Sequence, residues 1–307
     1  MSVWVVGSMN QDITVLTRKM PEHGETVLGS SVEYHSGGKG GNQAVAAACA
    51  GAETHMVGAV GDDSSGIFLL EKLRQRGVRT EGVRIIQGET SGCAFITVDA
   101  SGENSIIVIP GTNRLVSCEM EEMCCQEFQS GDILLLQGEI PRETVLYMLE
   151  LAHRLGVITI LNPAPAFPLH YSVYPNIDYL TPNEKEAFLL SGINGTPEEQ
   201  AEYFLKKGTR NVIITLGSRG VYYHGEQGKY IVPAYRCKAV DTTGAGDCLN
   251  GFFGGCLSQG MPVEKALHCA VIAAGISVTH KGAQDAVPLM ETVLKLHDEQ
   301  KNEMLIK

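Results

Sequence analysis

Asp132-Ile133-Leu134-Leu135-Leu136, the segment Arg142 to Leu155, and Val157-Ile158-Thr159-Ile160-Leu161 form the stretch whose reading decides the fold. The two short apolar runs have the length and composition of buried strands, and the segment between them spaces its apolar residues as a helix does. A strand, a crossover helix and a second strand run the two strands parallel. Outward from this unit the same alternation continues. Further strands are expected at Val3–Val6, His55–Val60, Asp178–Leu180 and Asn211–Leu216. Further helices are expected at Gln43–Cys49, Gly66–Arg76, Cys118–Phe128, Asn183–Leu190, Pro197–Lys206, Ala245–Leu257, Val263–Thr279 and Pro288–Glu299. The pattern predicts a three-layer α/β/α fold with a mostly parallel sheet, and ligands at the carboxyl ends of its strands.

Two regions break the rhythm. Ile13–Ser36 and Gly92–Ile109 lack a helical period and carry β-branched residues interrupted by Gly, Pro and Asn. Phe95-Ile96-Thr97-Val98 and Ser105-Ile106-Ile107-Val108, joined through Ala100-Ser101-Gly102-Glu103-Asn104, read as a hairpin. Strands inserted in this way would build a small β-sheet lid over the ligand end. Residues 1–307 are read as one domain, without repeats, low-complexity tracts or a linker.

Composition narrows the function. The chain has 44% apolar and 19% charged residues, the balance of an ordinary water-soluble fold. Its formal charge of −11 argues against nucleic acid or an anionic membrane surface as partner, but not against a small phosphorylated ligand held by local N–H groups. No apolar run approaches the ~20 residues that span a bilayer. A strand starting at Val3 leaves no room for a signal peptide. The nine cysteines contain no C-x-x-C, and the Cys124-Cys125 pair is expected on a helix; a reduced, cytoplasmic protein is expected.

The chemistry concentrates in a few stretches. In Asp241-Thr242-Thr243-Gly244-Ala245-Gly246-Asp247, small residues lead into an apolar helix, so unpaired backbone N–H groups face outward and make an anion site. A carboxylate at the lip of that site, Asp247, repels phosphate unless it serves the nucleophile as a base. Phosphoryl transfer to a hydroxyl is the reading. A second cluster, Gly37-Gly38-Lys39-Gly40-Gly41-Asn42-Gln43, offers close backbone approach, with Lys39 and Asn42 as donors; the plainer reading is a turn before a helix. It is not a phosphate-binding G-x-x-x-x-G-K-[ST] loop, and Gly7-Ser8-Met9-Asn10 fails the dinucleotide fingerprint. Asn10 and Asp12, at i and i+2, share a face of an extended segment and suit a polyhydroxylated ligand, or an Asx-turn. Gln137-Gly138-Glu139 and Asn162-Pro163-Ala164-Pro165 also put polar groups just past strands. Asn183 and Glu186 fit a capping box, and equally a Mg²⁺ held through its waters. Thr215-Leu216-Gly217-Ser218-Arg219-Gly220 reads as a hairpin turn or as a nucleotide loop. Zinc-protease and serine-hydrolase motifs are absent, and the nine histidines lack metal spacing.

These motifs, in this order and nearly end to end, resemble the ribokinase-like (PfkB) family of carbohydrate kinases. Lys281-Gly282-Ala283-Gln284 completes the set. The resemblance implies ATP-dependent phosphorylation of the O5 hydroxyl of D-ribose. It makes Asp247 the general base, and the N–H groups of Gly244, Ala245 and Gly246 the anion hole. It gives the sugar to Asn10, Asp12, Gly38, Lys39, Asn42 and Glu139. The nucleotide phosphates and Mg²⁺ fall to Asn183, Glu186, Thr215, Gly217, Ser218 and Gly220. A monovalent cation, usually K⁺, would sit by Asp241 and the carbonyls of Thr243, Ser277, His280 and Gly282. A homodimer through the lid is also implied. Three residues depart from the family pattern: Ala286 near the cation, Val271 beside the adenine and Gly41 in the sugar loop. A kinase for 2-deoxyribose or another small sugar, and a sugar-binding regulator without catalysis, are the alternatives; Asn10 favours ribose because the deoxy sugar would leave it unpaired.

Overall fold

The computed structural model describes residues 1–118 and 126–305. In chain order the elements are β1 (Val3–Val6), β2 (Asn10–Thr17), β3 (Gly29–Gly37), α1 (Lys39–Cys49), β4 (Thr54–Gly61), α2 (Ser64–Gln75), β5 (Arg79–Ile86), β6 (Gly92–Val98) and β7 (Asn104–Ile109). After a 3-10 turn at Gly111–Leu115 come β8 (Ile133–Leu136), α3 (Arg142–Leu155), β9 (Ile158–Leu161), β10 (Tyr179–Leu180), α4 (Glu184–Ser191), α5 (Pro197–Lys207) and β11 (Asn211–Thr215). The chain continues through β12 (Val221–Gly225), β13 (Gly228–Val232), α6 (Ala245–Ser258), α7 (Val263–Ser277) and α8 (Met290–Leu305). The helix expected over Cys118–Phe128, with its Cys124-Cys125 pair, lies largely outside the described residues.

Nine strands form the main sheet in the order β13-β12-β11-β10-β9-β8-β1-β4-β5, parallel from β11 to β5. The β8–α3–β9 unit supplies one of the parallel pairs, as its sequence requires. Strand β1 is buried on both faces, and its alternation divides the core: Val3 and Val5 pack with α1, α6 and α7, while Trp4 and Val6 pack with α3 and α5. Helices therefore cover both faces, the α/β/α layering the sequence predicts.

The second sheet has four strands in the order β3-β2-β6-β7. The expected hairpin is β6–β7, with Phe95 opposite Ile107. Asn10 and Asp12 lie on an extended segment after the first strand, as their spacing predicts. Asn10 opens β2, and stands opposite Gly37 of β3 on one side and Gly92 of β6 on the other.

Two further differences have physical causes. Helix α1 starts at Lys39, four residues before the expected Gln43, because Gly38 takes a left-handed turn (φ 82°) that lets the glycine-rich stretch wind as the first helical turn. Strand β5 was not expected: its outward charged residues, Arg79, Glu81 and Arg84, mask a strand at the sheet edge.

Candidate active site

Helices α1 and α6 set the site. The run Ala44 to Ala50 presents a small-residue face, and Gly251 and Gly255 lie against it. A Cβ at Gly251 would stand 2.5 Å from Ala46 Cβ, and one at Gly255 2.7 Å from Ala50 Cβ. This close packing brings the first turns of the two helices side by side. Asp247, 5% exposed, then meets donors from α1: Asn42 Nδ2 donates to Asp247 Oδ2 (2.9 Å) and Gln43 Nε2 to Asp247 Oδ1 (3.1 Å). Gln43 also donates to Asn162 Oδ1 (3.3 Å), and Gln137 Nε2 donates to Gln43 Oε1 (2.8 Å). Asn162 Nδ2 in turn donates to the Thr181 carbonyl (3.0 Å), whose hydroxyl donates to Asn250 Oδ1 (2.6 Å). The carboxylate is thus fixed at both oxygens by a buried amide chain. Asn42 Oδ1 and Gln137 Oε1 remain without partners, two acceptors inside a polar site.

Glu139 joins the glycine cluster to the first strand by accepting from Ser8 Oγ (2.6 Å) and the Lys39 N–H (3.0 Å). Lys39 is held above the usual lysine range, chiefly by the charge of Asp247, with burial opposing and Glu139 and Glu186 assisting. Burial pushes Asp12 up to about 7, with the charges of Glu139 and Asp247 adding to it and His35 opposing. Asn10, 5% exposed, accepts from Asn113 Nδ2 (2.7 Å). Gly38 approaches so closely that a Cβ there would lie 2.7 Å from Asn10 N.

Next to this group, Gly244 caps α6 in the left-handed region (φ 73°), and no side chain bonds to the first N–H groups of the helix. Two cavities share Thr215, Thr242, Ala245 and Gly246. One, of ≈ 280 Å³, is polar and lined by Lys39, Asn183, Glu186 and Asp247 among others. The other, of ≈ 490 Å³, runs from Gly217, Ser218 and Gly220 to an apolar end at Tyr235, Val271, Gly275 and Val278. Its shape suits a flat apolar ring at one end and an anion at the other. Thr215 and Asn183 stand opposite each other at the strand ends, where the Thr215 N–H donates to the Pro182 carbonyl (3.0 Å). Asn183 and Glu186 form a reciprocal capping box at 2.8 and 2.9 Å. Burial raises the Glu186 carboxyl, with Asp247 adding to it and the Asn183 contacts and Lys39 opposing. A carboxylate so placed suits a cation, and its Oε1 has no hydrogen bond among the described residues.

Asp241 flanks the same turn. Its Oδ1 accepts from the Thr243 N–H (3.0 Å) and hydroxyl (2.7 Å), and its Oδ2 from the Gly282 N–H (3.0 Å). Burial works to raise this carboxyl, but the Thr243 and Gly282 hydrogen bonds and His35 outweigh it and hold it below the usual carboxylate range. The Asp241 N–H donates to the Val278 carbonyl (3.1 Å), which ties it to the end of α7. The Asp241 carboxylate supplies negative charge beside the turn, and both of its oxygens are engaged by these N–H and O–H donors. The Ser277 carbonyl already accepts the His280 N–H (3.1 Å), and no contact joins His280 to Asp241 among the described residues. Ala286 is buried near this loop, and Val271 lines the apolar end of the larger cavity.

Sequence reasoning passed over Ser8, Asn113, Thr181 and Asn250. Ser8 and Asn113 each hold a site residue, while Thr181 and Asn250 bond each other and also line the polar cavity. Asn113 stands 103 positions from the residue it holds, so spacing carried no signal for it.

The sequence matches the model of the pfkB family carbohydrate kinases over residues 1–290. A ribokinase of Bacillus subtilis (strain 168) is 40% identical over 295 residues, covering 96% of this chain and 99% of the relative. A deoxyribokinase of Salmonella typhi is 36% identical over 296 residues, covering 95% and 97%. Among solved structures, Arabidopsis thaliana ribokinase complexed with ribose and ATP superposes with a TM-score of 0.88 at 32% identity, covering 96% of this chain and 98% of that one. On this match over nearly its whole length, this chain belongs to the pfkB family of carbohydrate kinases.

Proposed function

We propose that this chain transfers the terminal phosphoryl group of ATP to the O5 hydroxyl of D-ribose, giving D-ribose 5-phosphate and ADP. The observation that carries the reading is the buried Asp247 carboxylate, fixed by Asn42 and Gln43 in the wall of the polar cavity, one residue from the glycine shared with the larger cavity. In this reading the base of ATP lies in the apolar end of the larger cavity. Its phosphates run past Gly217, Ser218 and Gly220 to the N–H groups of Gly244, Ala245 and Gly246. The sugar lies against Asn10, Asp12, Gly38, Lys39, Asn42 and Glu139.

An alcohol is a weak nucleophile at neutral pH. Asp247 takes the hydroxyl proton as the oxygen bonds to the terminal phosphorus and the bond to the bridging oxygen breaks, releasing ADP. The N–H groups of the α6 turn and the Lys39 ammonium stabilise the charge that gathers on the transferring group. Asn183 and Glu186 would hold Mg²⁺ through its waters, and Asp241 with the carbonyls of Thr243, Ser277, His280 and Gly282 a monovalent cation. Bound there, these cations supply positive field at the phosphates and stiffen the turn.

Ribose is preferred over 2-deoxyribose because Asn10 offers an amide that the deoxy sugar leaves unpaired. The similarity to a deoxyribokinase keeps 2-deoxyribose as the second reading. A silent regulator has less support, since it needs no buried carboxylate beside an anion site. The thiols of Cys49, Cys93, Cys237 and Cys248 are free, which fits a cytoplasmic place of action, and no helix among the described residues is long and apolar enough to cross a membrane. Release of ADP, coupled to NADH oxidation, is measured with ribose, 2-deoxyribose, fructose and adenosine, with and without K⁺. Fastest turnover on ribose supports the proposal; no ADP from any acceptor refutes it.

A further inference from the structure

Asn113 carries no assigned role, yet its bonds determine which way Asn10 points its amide. The Met9 N–H donates to Asn113 Oδ1 (2.9 Å). A backbone N–H can only donate, so the atom it meets must be the oxygen, and the Asn113 NH₂ must face the other way. That NH₂ donates to the Met9 carbonyl (3.2 Å) and to Asn10 Oδ1 (2.7 Å). The Asn10 oxygen is therefore turned toward Asn113. Its Nδ2 has no hydrogen bond among the described residues, and it is not one of the buried atoms left unsatisfied. Asn113 itself is 1% exposed, and a Cβ at Gly92 would collide with both Asn113 Nδ2 and Asn10 Oδ1, so the pair is closely enclosed.

The direction matters because of what surrounds it. Asp12 and Glu139, both assigned to the sugar in the proposed reading, are carboxylates near enough for the charge of Glu139 to raise Asp12, while the Asn42 NH₂ is engaged by Asp247. A sugar hydroxyl has one proton to give. Beside carboxylates that accept that proton, a neighbouring group adds binding only if it donates. An Asn10 amide turned the other way would set acceptor beside acceptor.

Resting on the reading of Asn10 as a sugar contact, we propose that Asn113 is a positioning residue for sugar choice: it locks Asn10 as a hydrogen-bond donor to a pentose hydroxyl that 2-deoxyribose lacks. Two variants test it. Asn113→Asp keeps the acceptor for the Met9 N–H but can no longer donate to Asn10, so the Asn10 amide turns over. Asn113→Ala frees the amide altogether. The wild-type protein and both variants are assayed for kcat and KM with ribose and 2-deoxyribose, ribose affinity is measured by calorimetry without nucleotide, and thermal unfolding is followed in parallel.

In both variants the ratio of kcat/KM for ribose over 2-deoxyribose is expected to fall about tenfold, the value of one hydrogen bond at the upper end of its usual range. The loss should lie in KM and in ribose affinity more than in kcat. A purely structural Asn113 would lower the melting temperature and weaken both sugars alike; an unchanged ratio in both folded variants therefore overturns the inference. A wild-type protein that phosphorylates both sugars equally well also overturns it, leaving the kinase reading intact. A wild-type protein that phosphorylates neither removes the kinase reading and the inference with it.

Discussion

Gly246→Ala separates the anion site from the stability of the fold. Gly246 is the second residue of α6 and lines both cavities, and a Cβ built on it meets no heavy atom within 4 Å. The added methyl group therefore strains nothing in the free protein. Alanine is the better helix former by about 0.8–1 kcal/mol in a helix interior, with a smaller gain in a first turn. For a chain of this size that raises the melting temperature by about 2 °C or leaves it unchanged. The N–H at this position survives, so the anion site loses no donor. What changes is the space: the methyl group enters the volume where the transferring phosphate would lie, and a displacement of about 1 Å at the reacting centre lowers turnover on the order of 10²-fold. Thermal unfolding and steady-state kinetics with varied ATP read the two effects separately. Turnover at the wild-type level would refute the placement of the phosphate at this turn. A clear loss of stability would refute the claim that the space is open. Gly244→Ala is the contrast, because its left-handed backbone and a Cβ 2.7 Å from Ala283 Cβ predict a loss of both stability and activity.

Four further outcomes are expected. Asp247→Asn should lower turnover at least ~10²-fold, the low end of general-base contributions, while ribose still binds by calorimetry; near-normal turnover removes Asp247 as the base. Asp12, pushed up to about 7 by burial with Glu139 and Asp247 assisting, is largely protonated below that pH, and a sugar hydroxyl that donates to it needs the carboxylate. Ribose affinity should therefore rise about tenfold from pH 6 to pH 8, with proton release near pH 7 seen as buffer-dependent binding heat; a flat profile contradicts this. Asp241→Asn should abolish stimulation by K⁺ while leaving slow cation-independent turnover, and unchanged K⁺ stimulation would show that the cation binds elsewhere. Every residue of β7 is exposed at the edge of the small sheet, including Ile106, Ile107, Val108 and Ile109, so a dimer formed there should dissociate in Ile107→Lys by light scattering.

The sequence announced the layered fold because its central strands are nearly pure apolar runs and its helices have regular spacing. It hid β5, whose charged residues face solvent at an edge, and it placed the start of α1 late, because four glycines read as a loop until their close packing is known. The base and its neighbours were legible for a different reason. A carboxylate beside a glycine turn has few structural uses, so Asp247 and Asp241 drew attention alone. Asn183 and Glu186 did not separate in the same way, since one pattern serves both a helix cap and a metal, and the structure shows the cap formed. Asn113 and Ser8 were illegible because each acts across a long sequence separation on a residue that no local pattern ties to it.

Asn10 stands at the root of the small sheet, on a rung with Gly37 and Gly92, where β2, β6 and β3 leave the main body. A door turns most at its free edge and least at its hinge. If this sheet swings, β7 sweeps the largest arc while Asn10 and Asp12 hardly travel. The sugar could then be gripped while the door stands open, and closure would add shelter from water rather than new recognition. Substitutions at the far end of the sheet should accordingly alter how often the door shuts and leave untouched how well the sugar is chosen.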